Sequence, residues 1–378
     1  MALAIALFLI TVAAVLFQFL SPWQLTPLAS NWQQMDDTLV ITLVVTGVFF
    51  VGINLFLVYV LVRYRHRKAL RAAYQPEDKR LERWLILGTA LAIMLLLAPG
   101  LFVYAQYLDV PRHALSVDVL AQQWQWRFRL PGAGDKLGRT DTRLINSANP
   151  FGLDPTDPDG QGNILVSNNE LHLPLNQPVK MLLRSQDVLH DFFVPPFRAR
   201  MNIVPGMVTS FWFTPTKVGR YELMCAQYCG IGHSNMRGYV VVEDAATFAA
   251  WLKSQPTFAQ TQTNSGDGGD PLAKQGKLLA QAKGCVACHS VDGNAGVGPT
   301  WKDLYGKTET MADGSTALVD EAYLKAFIRN PAARVVKGYA PIMPKIDLTD
   351  QELAELIAYI KSNAGAGQPG TATQKSGV

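Results

Sequence analysis

The sequence predicts a multidomain membrane protein in which transmembrane α-helices come first, an antiparallel β-sandwich or barrel follows, and an all-α domain comes last. Three observations predict this order. Long apolar runs are concentrated in the first 107 of the 378 residues. Short alternating segments separated by turn residues begin near residue 113, and helical patterns begin near residue 271. A chain of this length is long enough for two or three domains.

Three apolar runs predict helices that cross a bilayer, at about residues 2–20, 38–62 and 84–107. The first run carries no charge and reaches the ~20 residues that a crossing needs. A cleaved signal peptide is the alternative for residues 2–20, but no Lys or Arg precedes the run and no A-x-A site follows it. We therefore expect a retained helix.

The loop RYRHRKALRAAYQPEDKRLER, between the second and third runs, sets the orientation. It holds eight Lys or Arg residues against three acids. The positive-inside rule places such a loop in the cytoplasm, so everything after residue 107 lies on the opposite face. Residues 1–112 are therefore expected to form a multi-pass region in the lipid bilayer.

Residues 113–255 have the texture of a β-domain. Segments such as SVDVLAQQWQWRFRL and RGYVVVED are typical of short strands at regular spacing. A Gly/Asp/Pro-rich insertion at 132–162 interrupts them. Its Asp154, Asp157, Asp159 and Gly160 resemble part of a calcium loop, but no closing Glu follows at the right distance, which favours a solvated surface insertion. A short helix at 246–255 is expected to close this domain.

The remainder of the chain divides into three parts. Residues 256–270 are predicted to be a flexible linker by composition. Residues 271–363 are helical in pattern, and a T-D-Q-E capping box at Thr349 begins the last helix. Residues 364–378 have the composition of a disordered tail.

Charge and cysteine content narrow the function classes. The net charge is +4, with no block of like charge in the part after the apolar runs, so a nucleic-acid partner has no electrostatic basis. The chain holds four cysteines, which form two close pairs. Such pairs indicate metal or cofactor sites more readily than a disulfide framework.

The second cysteine pair predicts a covalent haem. Cys285-Val-Ala-Cys288-His289 is the C-x-x-C-H pattern of c-type haem attachment, in which both thiols bond to the haem and His289 ligates the iron. Zinc would need a second ligand pair, and the predicted helical domain has no other Cys or His.

The sixth iron ligand is expected to be a methionine, since no second histidine is available in this domain. Met343 lies in a Pro-bounded loop before the last helix, whereas the competitor Met311 lies in a polar stretch. His/Met ligation raises the haem potential. Pro299 is expected to accept a hydrogen bond from Nδ1–H of His289 and so to fix its tautomer. In these motifs residues 270–363 resemble the class I cytochrome c family.

The first cysteine pair belongs to a soft-ligand cluster that predicts copper. Cys225, Cys229, His233 and Met236 lie within twelve residues. Two thiolates, an imidazole and a thioether favour copper over magnesium, calcium or manganese, and zinc seldom accepts a thioether. A disulfide between the two cysteines is the alternative in an oxidising compartment, but it explains neither the histidine nor the methionine.

This segment resembles the binuclear CuA loop of cytochrome c oxidase subunit II, and the likeness extends over residues 36–253. The resemblance implies a cupredoxin-like domain in which two cysteines bridge two copper ions. It assigns the bridging thiolates to Cys225 and Cys229. The further ligands that it assigns are one histidine (His233), the methionine (Met236) and the backbone carbonyl of Gln227. The remaining histidine is expected to be His190, because DFFVP, with its Val-Pro turn, follows it. His172 and His113 lack that context and are expected to be ordinary histidines.

An aromatic stretch suggests a route for electrons. Gln123-Trp124-Gln125-Trp126-Arg127-Phe128 resembles the Q-W-x-W-x-aromatic stretch of the family, whose first Trp lies between the donor cytochrome and CuA. The resemblance gives Trp124 that role. The alternative is that both tryptophans are core residues of one strand, and their i, i+2 spacing predicts that at least one is.

Two departures from the family's pattern concern other sites. Gln227 and Asn202 stand where relatives often have Glu and Asp beside a magnesium at the subunit I interface, which weakens the expectation of that magnesium. Relatives also carry a Glu at a proton-channel entrance just before the last transmembrane helix. Glu82 lies nearby with a different spacing to Trp84, so we expect a solvated interfacial acid.

Together the two resemblances imply a caa-type haem–copper oxidase, in which a cytochrome c is fused to subunit II. The expected path for electrons leads from an upstream donor, either cytochrome c or a quinol-oxidising complex, to haem c, then to CuA, and finally to the oxygen-reducing centre of subunit I. No oxygen chemistry is expected on this chain. Subunit III is a further expected partner in this proton-translocating complex of the bacterial plasma (inner) membrane, and both soluble domains are expected on the periplasmic face.

Other functions with the same cofactors remain open at this point. A CuA subunit also serves some nitric oxide reductases, and a membrane-bound electron-transfer module without an oxidase partner is a further alternative. Nitrous oxide reductase needs many more histidines than the six present. Quinol-oxidase subunits lack the copper cysteines, so that class is disfavoured.

Overall fold

The computed structural model describes residues 1–21, 26–66, 76–132, 134, 136–263, 270–294 and 296–364. These residues fall into two compact units. The first comprises Met1–Val110 with Pro195–Arg198, and the second comprises Pro111–Val194 with Ala199–Val378. The predicted disordered tail lies, except for Ala364, outside the described residues.

The first unit is built from three long helices, α1 (Ala2–Leu20), α2 (Gln33–Arg63) and α3 (Lys79–Leu108). All three are long and apolar enough to cross a membrane. At a rise of about 1.5 Å per residue, even the 19 residues of α1 approach the ~30 Å hydrocarbon core. Most of their leucines, valines and phenylalanines are exposed, which is the pattern of a surface that faces lipid.

The two longer helices begin earlier than their apolar runs. The N-terminal turn of α2 carries Asp36, and α3 is capped by Asp78, whose carboxylate accepts hydrogen bonds from the amides of Arg80 and Leu81. Acceptors and acids at a helix N-terminus satisfy free N–H groups and the helix dipole, so both helices extend past the apolar segment. Glu82 lies in the first turn of α3 and is exposed.

Within this first unit, a bidentate ion pair ties the segment 195–198 to α2. Arg198 Nε and Nη2 lie 2.6 and 2.8 Å from the two carboxylate oxygens of Asp36. Trp32 and Tyr107 pack edge to face with ring centroids 5.3 Å apart, which joins the start of α2 to the end of α3. These contacts fix one end of the helical unit.

The second unit begins with ten strands in two five-stranded sheets, ordered β3-β2-β1-β5-β8 and β4-β10-β9-β6-β7. The strands are β1 (Leu115–Gln122), β2 (Gln125–Leu130), β3 (Ile164–Val166), β4 (Glu170–Pro174), β5 (Val179–Ser185), β6 (His190–Val194), β7 (Ala199–Ile203), β8 (Thr209–Phe213), β9 (Gly219–Cys225) and β10 (Arg237–Glu243). Trp126 of β2 packs edge to face on Phe192 of β6, and Phe192 contacts Phe211 of β8. These fully buried rings join the two sheets into a sandwich.

The predicted β-domain is present, but not every strand pair is antiparallel. β1 pairs in parallel with β5, and β10 pairs in parallel with β4. Each of these pairs joins strands that are far apart in the chain. Alternation within a strand predicts its buried face but not the direction of a distant neighbour, so the sequence could not reveal these two pairs.

The insertion at 132–162 has a buried anchor. Phe151 and Leu153 are buried against Leu120, and the side chain of Asn163 accepts hydrogen bonds from the amide of Gly138 and from Arg129. The insertion also contains a single helical turn, α4 (Pro158–Gln161). It is therefore more ordered than the predicted solvated loop.

Three aspartates of this insertion form ion pairs with cations of the same insertion. Asp154 and Asp157 are engaged by Arg139, whose guanidinium lies 3.3 and 3.6 Å from their carboxylates. Asp159 pairs with Lys136 at 3.8 Å. Each acid therefore neutralises a nearby cation, and none of them belongs to the candidate metal-binding group found among the described residues.

The segment between the sandwich and the last domain is only partly the predicted linker. After α5 (Ala245–Ser254), a further helix α6 (Phe258–Thr263) forms inside the predicted 256–270 linker. Phe258 is 1% exposed, and its amide donates to the carbonyl of Asn163 at 2.7 Å. A single buried aromatic residue, hidden in a polar segment, holds this part of the linker on the β-domain.

The last domain packs helix α7 (Pro271–Ala282) against α9 (Asp350–Ser362), with α8 (Glu321–Arg329) beside them. Thr349 caps α9 through the predicted capping box with Glu352. A small hairpin of β11 (Thr308–Thr310) and β12 (Thr316–Leu318) interrupts the helical pattern. The core is apolar and includes Leu279, Trp301, Leu324, Leu353, Leu356, Ile357 and Ile360.

Candidate copper and haem centres

The sandwich brings the predicted copper ligands together at the ends of two paired strands. His190 is the first residue of β6, Cys225 is the last residue of β9, and Phe192 pairs with Cys225 across these strands. The loop that follows β9 returns Cys229 and Met236 beside Cys225, whose amide donates to the carbonyl of Met236 at 3.2 Å. A rigid β-scaffold thus places ligands that are 35 residues apart in the chain.

The ligand atoms form one compact group around the two sulfur atoms. Cys225 Sγ lies 3.8 Å from Cys229 Sγ, 3.9 Å from His190 Nδ1 and 3.1 Å from the carbonyl oxygen of Gln227. Cys229 Sγ lies 3.5 Å from His233 Nδ1 and 3.9 Å from Met236 Sδ. Every ligand that the resemblance assigned to CuA is therefore in contact with one of the two thiols.

These distances fit a metal centre bridged by two thiolates. A metal–sulfur bond measures about 2.3 Å, so one ion can touch both sulfur atoms when they are less than ~4.6 Å apart. The observed 3.8 Å satisfies that condition, whereas a disulfide requires about 2.05 Å. The cysteines are free thiols. The residues present therefore fit a metal centre held between the two thiolates.

Hydrogen bonds shift the pKa values of both the imidazole and the thiols of this group. Burial disfavours protonation of His190, but Nε2 is 2.8 Å from the Asp187 carboxylate, and this contact together with Cys225 raises the imidazole pKa. The hydrogen bond between the two sulfur atoms lowers the pKa of Cys225 to about 3 and raises that of Cys229. One thiol is then a thiolate at neutral pH, which is the metal-binding form.

Asp187 is a residue of this site that the sequence analysis did not single out. Besides His190, its carboxylate accepts a hydrogen bond from the amide of Gln123 at 2.8 Å. It therefore joins a copper ligand to the turn that carries Trp124. Its position three residues before His190 was the available signal, because a metal-ligating histidine usually donates its second N–H to a carboxylate or carbonyl.

Trp124 lies in the turn between β1 and β2 and is packed against the copper loop. Its indole N–H donates to the carbonyl of Cys229 at 3.2 Å, and only 8% of the residue is exposed. A Cβ atom on Gly232 would lie 2.3 Å from the indole ring, so only glycine permits this contact. Trp126, by contrast, is fully buried in the sandwich core. The two tryptophans therefore have different environments, and only the second is a strand core residue.

The haem motif follows directly after α7. Residues Cys285–Ala287 form a 3-10 turn, and the amide of His289 donates to the carbonyl of Cys285 at 3.0 Å. Nδ1 of His289 donates to the carbonyl of Pro299 at 2.8 Å, as the sequence predicted. Burial lowers the pKa of His289, although this hydrogen bond opposes the effect. The imidazole is therefore neutral, and its Nε2 remains available to a metal.

A cavity of about 650 Å³ opens beside His289. Its lining includes Cys288, His289 and Met343, and a smaller space of about 60 Å³ is lined by Cys285 together with the same histidine and methionine. The larger volume lies within the 300–1,000 Å³ typical of cofactor sites. Both predicted attachment cysteines and both predicted iron ligands thus border one region that fits a haem.

The competing methionine lies elsewhere. Met311 is 1% exposed and belongs to the β11–β12 hairpin, where it forms an isolated bridge with Val336. It is absent from the lining of both cavities. Its role is in packing, so the geometry favours Met343 as the sixth ligand.

The haem cavity also reaches the copper domain. Trp124, Gln123, Asp187 and the loop Gly230–Gly232 line the wall opposite the haem motif. The indole that donates to the carbonyl of Cys229 therefore also borders the haem cavity. The sequence could not predict this juxtaposition, because it depends on how the two domains pack.

The remaining residues that the sequence analysis singled out have structural roles. His172 is hydrogen-bonded to Glu243 and Glu170 and stacks on Trp251, with ring centroids 4.3 Å apart. His113 is exposed. Asn202 lies on β7 opposite Asp191.

Comparison with known proteins gives the family. The profile of the cytochrome c oxidase subunit II periplasmic domain matches residues 115–245, and that of cytochrome c matches residues 273–364. An alternative cytochrome c oxidase subunit 2 from Bradyrhizobium diazoefficiens is 48% identical over 276 residues, which are 71% of this chain and 100% of that protein. The chain belongs to the cytochrome c oxidase subunit 2 family.

Other relatives of this subunit 2 are more distant. A cytochrome c oxidase subunit 2 from Alkalihalophilus pseudofirmus is 23% identical over 355 residues, which are 89% of this chain and 90% of that protein. The crystal structure of a subunit II periplasmic domain from Bradyrhizobium japonicum is 24% identical, with a TM-score of 0.28 over 39% of this chain and 96% of that one.

The family confirms the main predictions made from the sequence. This subunit 2 is part of an oxidoreductase complex, is anchored by apolar helices and ends in a cytochrome c domain. The two families imply CuA copper and haem c, and the described residues contain a His/Cys group that could hold a metal. The chain is therefore an electron-transfer subunit of an oxidase, and subunit I is its implied partner.

Proposed function

We propose that this chain is the electron-input subunit of a caa-type cytochrome c oxidase. It takes electrons from an upstream donor into haem c, moves them to binuclear CuA, and delivers them to the oxygen-reducing haem–copper centre of subunit I. The observation that carries this proposal is Trp124, which borders the haem cavity and donates a hydrogen bond to the carbonyl of Cys229.

In this proposal the copper shell consists of six groups. Cys225 and Cys229 would supply the two thiolates that hold copper, and the other ligands would be His190, His233, Met236 and the carbonyl of Gln227. A centre that shares one electron between two coppers spreads the charge change over many bonds, which favours fast transfer at low driving force. The scaffold contributes rigidity, because β6 and β9 are paired next to the ligands.

Cys285 and Cys288 would attach the haem covalently, and His289 and Met343 would ligate its iron. Pro299 holds the imidazole in one tautomer through its carbonyl. A soft thioether opposite an imidazole gives a relatively high potential, which suits a carrier close to the oxygen-reducing end of a chain.

The proposed electron path leaves the haem cavity through the indole of Trp124 and reaches copper through the Cys229 backbone. Each contact on this path is a packed ring or a hydrogen bond between described residues. Water has little access to it, because the indole is 8% exposed and Cys229 is 3% exposed. No step on this chain involves oxygen.

The proposed setting is the bacterial plasma membrane, with three spanning helices and both soluble domains on the periplasmic face. Subunit III and an upstream donor, either cytochrome c or a quinol-oxidising complex, complete the set of partners. A magnesium ion at the subunit I interface is not expected, since Gln227 and Asn202 supply amides where carboxylates would be needed. The oxidase names of the relatives favour oxygen over nitric oxide as the final acceptor.

Cofactor analysis of the purified full chain tests the proposal. We expect two coppers and one covalent haem per chain, a near-infrared band and a multi-line copper signal. The Cys229→Ser variant should lose these copper features and retain the haem spectrum, whereas His172→Gln, a matched control, should retain both. A chain that holds haem without copper, with Cys225 and Cys229 joined as a disulfide, would contradict the oxidase proposal.

A further inference from the structure

The C-terminal end of α7 contacts the copper domain through hydrogen bonds that all run in one direction. Gln122 Nε2 donates to the carbonyl of Ala282 at 2.6 Å, and Gln125 Nε2 donates to the carbonyl of Gln281 at 2.5 Å. Arg127 Nη2 donates to the same Gln281 carbonyl. Three donors on the β1–β2 hairpin thus meet the last carbonyls of the first helix of the cytochrome domain.

The end of a helix is a favourable acceptor for these donors. The last four carbonyls of an α-helix lack partners within the helix, and they carry the negative end of its dipole. The last turn of α7 contains no basic residue, and the C-cap residue Lys283 directs its ammonium towards Glu352, 3.5 Å away. The positive charge is supplied by Arg127, which lies in the other domain.

Arg127 has an environment that this contact explains. The residue is 2% exposed, and burial lowers its guanidinium pKa to about 10. Among the described ion pairs none includes Arg127, whereas Arg129 on the same strand pairs with Asp118 at 2.6 Å. A buried cation without a carboxylate is costly unless another negative group faces it. The C-terminal end of α7 is that group.

A close backbone contact follows directly after the hydrogen bonds. Gly284 adopts φ +74, and a Cβ atom there would lie 2.5 Å from the carbonyl oxygen of Gln123. The backbone therefore lies close against the copper domain at the residue before Cys285, the first haem attachment point. This steric observation is independent of the donors and supports the same docked arrangement.

The tether restricts how far the cytochrome domain can move. Helix α6 is held on the copper domain by Phe258, and the next described residue after Thr263 is Asp270, the cap of α7. Seven residue steps span at most about 25 Å when fully extended. A short tether of this kind gives an effective concentration of order mM, so even a modest contact keeps the domains together.

We propose that Gln122, Gln125 and Arg127 form an interdomain latch that holds the haem cavity against Trp124. These three are positioning residues, because they bind the helix that leads into the haem motif. The same hairpin carries both the latch and Trp124, so closing the latch sets the indole against the cavity wall. The functional consequence rests on the proposed function, because the latch matters only if electrons cross this boundary.

The test uses the full chain in its purified oxidase complex with the Arg127→Met variant, which keeps the length and apolar bulk of the side chain. A charge-assisted hydrogen bond changes an equilibrium by about tenfold or more. We expect the rate of electron transfer from haem c to CuA to fall about tenfold after flash reduction. Amide hydrogens of residues 279–284 should exchange faster in the same variant, while the haem and copper spectra and both potentials stay unchanged.

Two further variants separate positioning from general damage. Arg127→Lys keeps the charge and should restore part of the rate. Arg220→Met removes a surface arginine, which pairs with Glu170 on the sandwich, and should leave the rate and the exchange at residues 279–284 at wild-type values. An Arg127→Met protein indistinguishable from Arg220→Met in both measurements would overturn the latch.

A second variant keeps the test decisive if Arg127→Met fails to fold or to load its cofactors. Gln125→Ala removes one neutral hydrogen-bond donor. We therefore expect the electron-transfer rate to fall about threefold and the amide exchange at residues 279–284 to rise about threefold. No change in rate or exchange would then reject the latch. If the wild-type chain transfers no electrons to copper while the variants still exchange faster at residues 279–284, the latch stands and the proposed function fails.

Discussion

At the scale of the residue, the two centres depend on the groups that hydrogen-bond to the ligands as much as on the ligands themselves. Asp187 holds the ring of His190, Pro299 holds the ring of His289, and the carbonyl of Cys229 accepts from Trp124. Each of these contacts fixes an orientation that the ligand alone would not have. Two predictions follow from single side chains.

The first prediction concerns Asp187. Replacing it by Asn removes the negative charge that faces Nε2 of His190, so the imidazole becomes a weaker donor to copper. We expect copper affinity to fall by about 10- to 100-fold, as is usual for loss of such a partner. Competition with a copper chelator measures the change. Asp154→Asn, an acid of the 132–162 insertion that pairs with Arg139, is the control and should not change the affinity.

The second prediction separates the two methionines of the cytochrome domain. Met343→Ala should remove the thioether from the iron, change the visible spectrum and lower the haem potential. Met311→Ala should leave the spectrum intact and destabilise the domain by about 2–5 kcal/mol, because Met311 is a buried core residue. Spectroscopy and thermal unfolding of both variants distinguish the roles. The reverse pattern would make Met311 the ligand.

The sequence predicted individual ligands better than their surroundings. Most ligands lie in two short segments, Cys225 to Met236 and Cys285 to His289. The spacing of the residues within each segment is therefore enough to predict which cofactor it binds. His190 was found through the residues that follow it. Asp187 and the contact between Trp124 and the haem cavity depend on packing between distant segments, and no local pattern indicates them.

At the scale of the element, the sequence prediction missed helices and strands that lie in mainly polar segments and are held by one buried residue. The apolar runs predicted three helices correctly, and the alternating segments predicted the strands. Helix α6 and the β11–β12 hairpin were missed, because both consist mainly of Thr, Gln and other polar residues. In α6 the deciding residue is Phe258, whose burial is set by the insertion that covers it.

A prediction at this scale tests the anchoring of α6. Phe258→Ala removes a fully buried ring and should release the helix, since a buried Phe contributes about 3–5 kcal/mol. We expect limited proteolysis to cleave within residues 256–263 in the variant and not in the wild type. Phe258→Leu should behave as an intermediate. Equal cleavage of all three proteins would show that α6 is not held on the sandwich.

At the scale of the whole molecule, fusion replaces electrostatic attraction between partners. Residues 110–250 hold 13 basic and 12 acidic side chains, and residues 265–363 hold 11 and 12. Neither domain has the net charge that would steer a diffusing partner. The tether and the latch instead keep the haem cavity beside the copper domain, so electron transfer between them requires no diffusional encounter.

A whole-molecule prediction follows from this balance of charge. The rate of electron transfer from haem c to CuA within one chain should change less than about twofold between 0.01 M and 1 M salt, although the Debye length falls from about 30 Å to about 3 Å. Flash reduction at several salt concentrations measures this rate. A steep decrease with salt would show that surface charge, and not the tether and the buried latch, holds the domains together.

The central claim is that electrons pass from haem c to CuA within one chain. The most direct measurement follows haem and copper absorbance after pulsed reduction of the purified full chain at several protein concentrations. The account predicts that haem c is reduced first and that copper follows in a first-order step whose rate is independent of concentration and is slower in Trp124→Phe. A rate of copper reduction that rises in proportion to protein concentration would contradict the account, and so would copper reduction that does not coincide with haem oxidation.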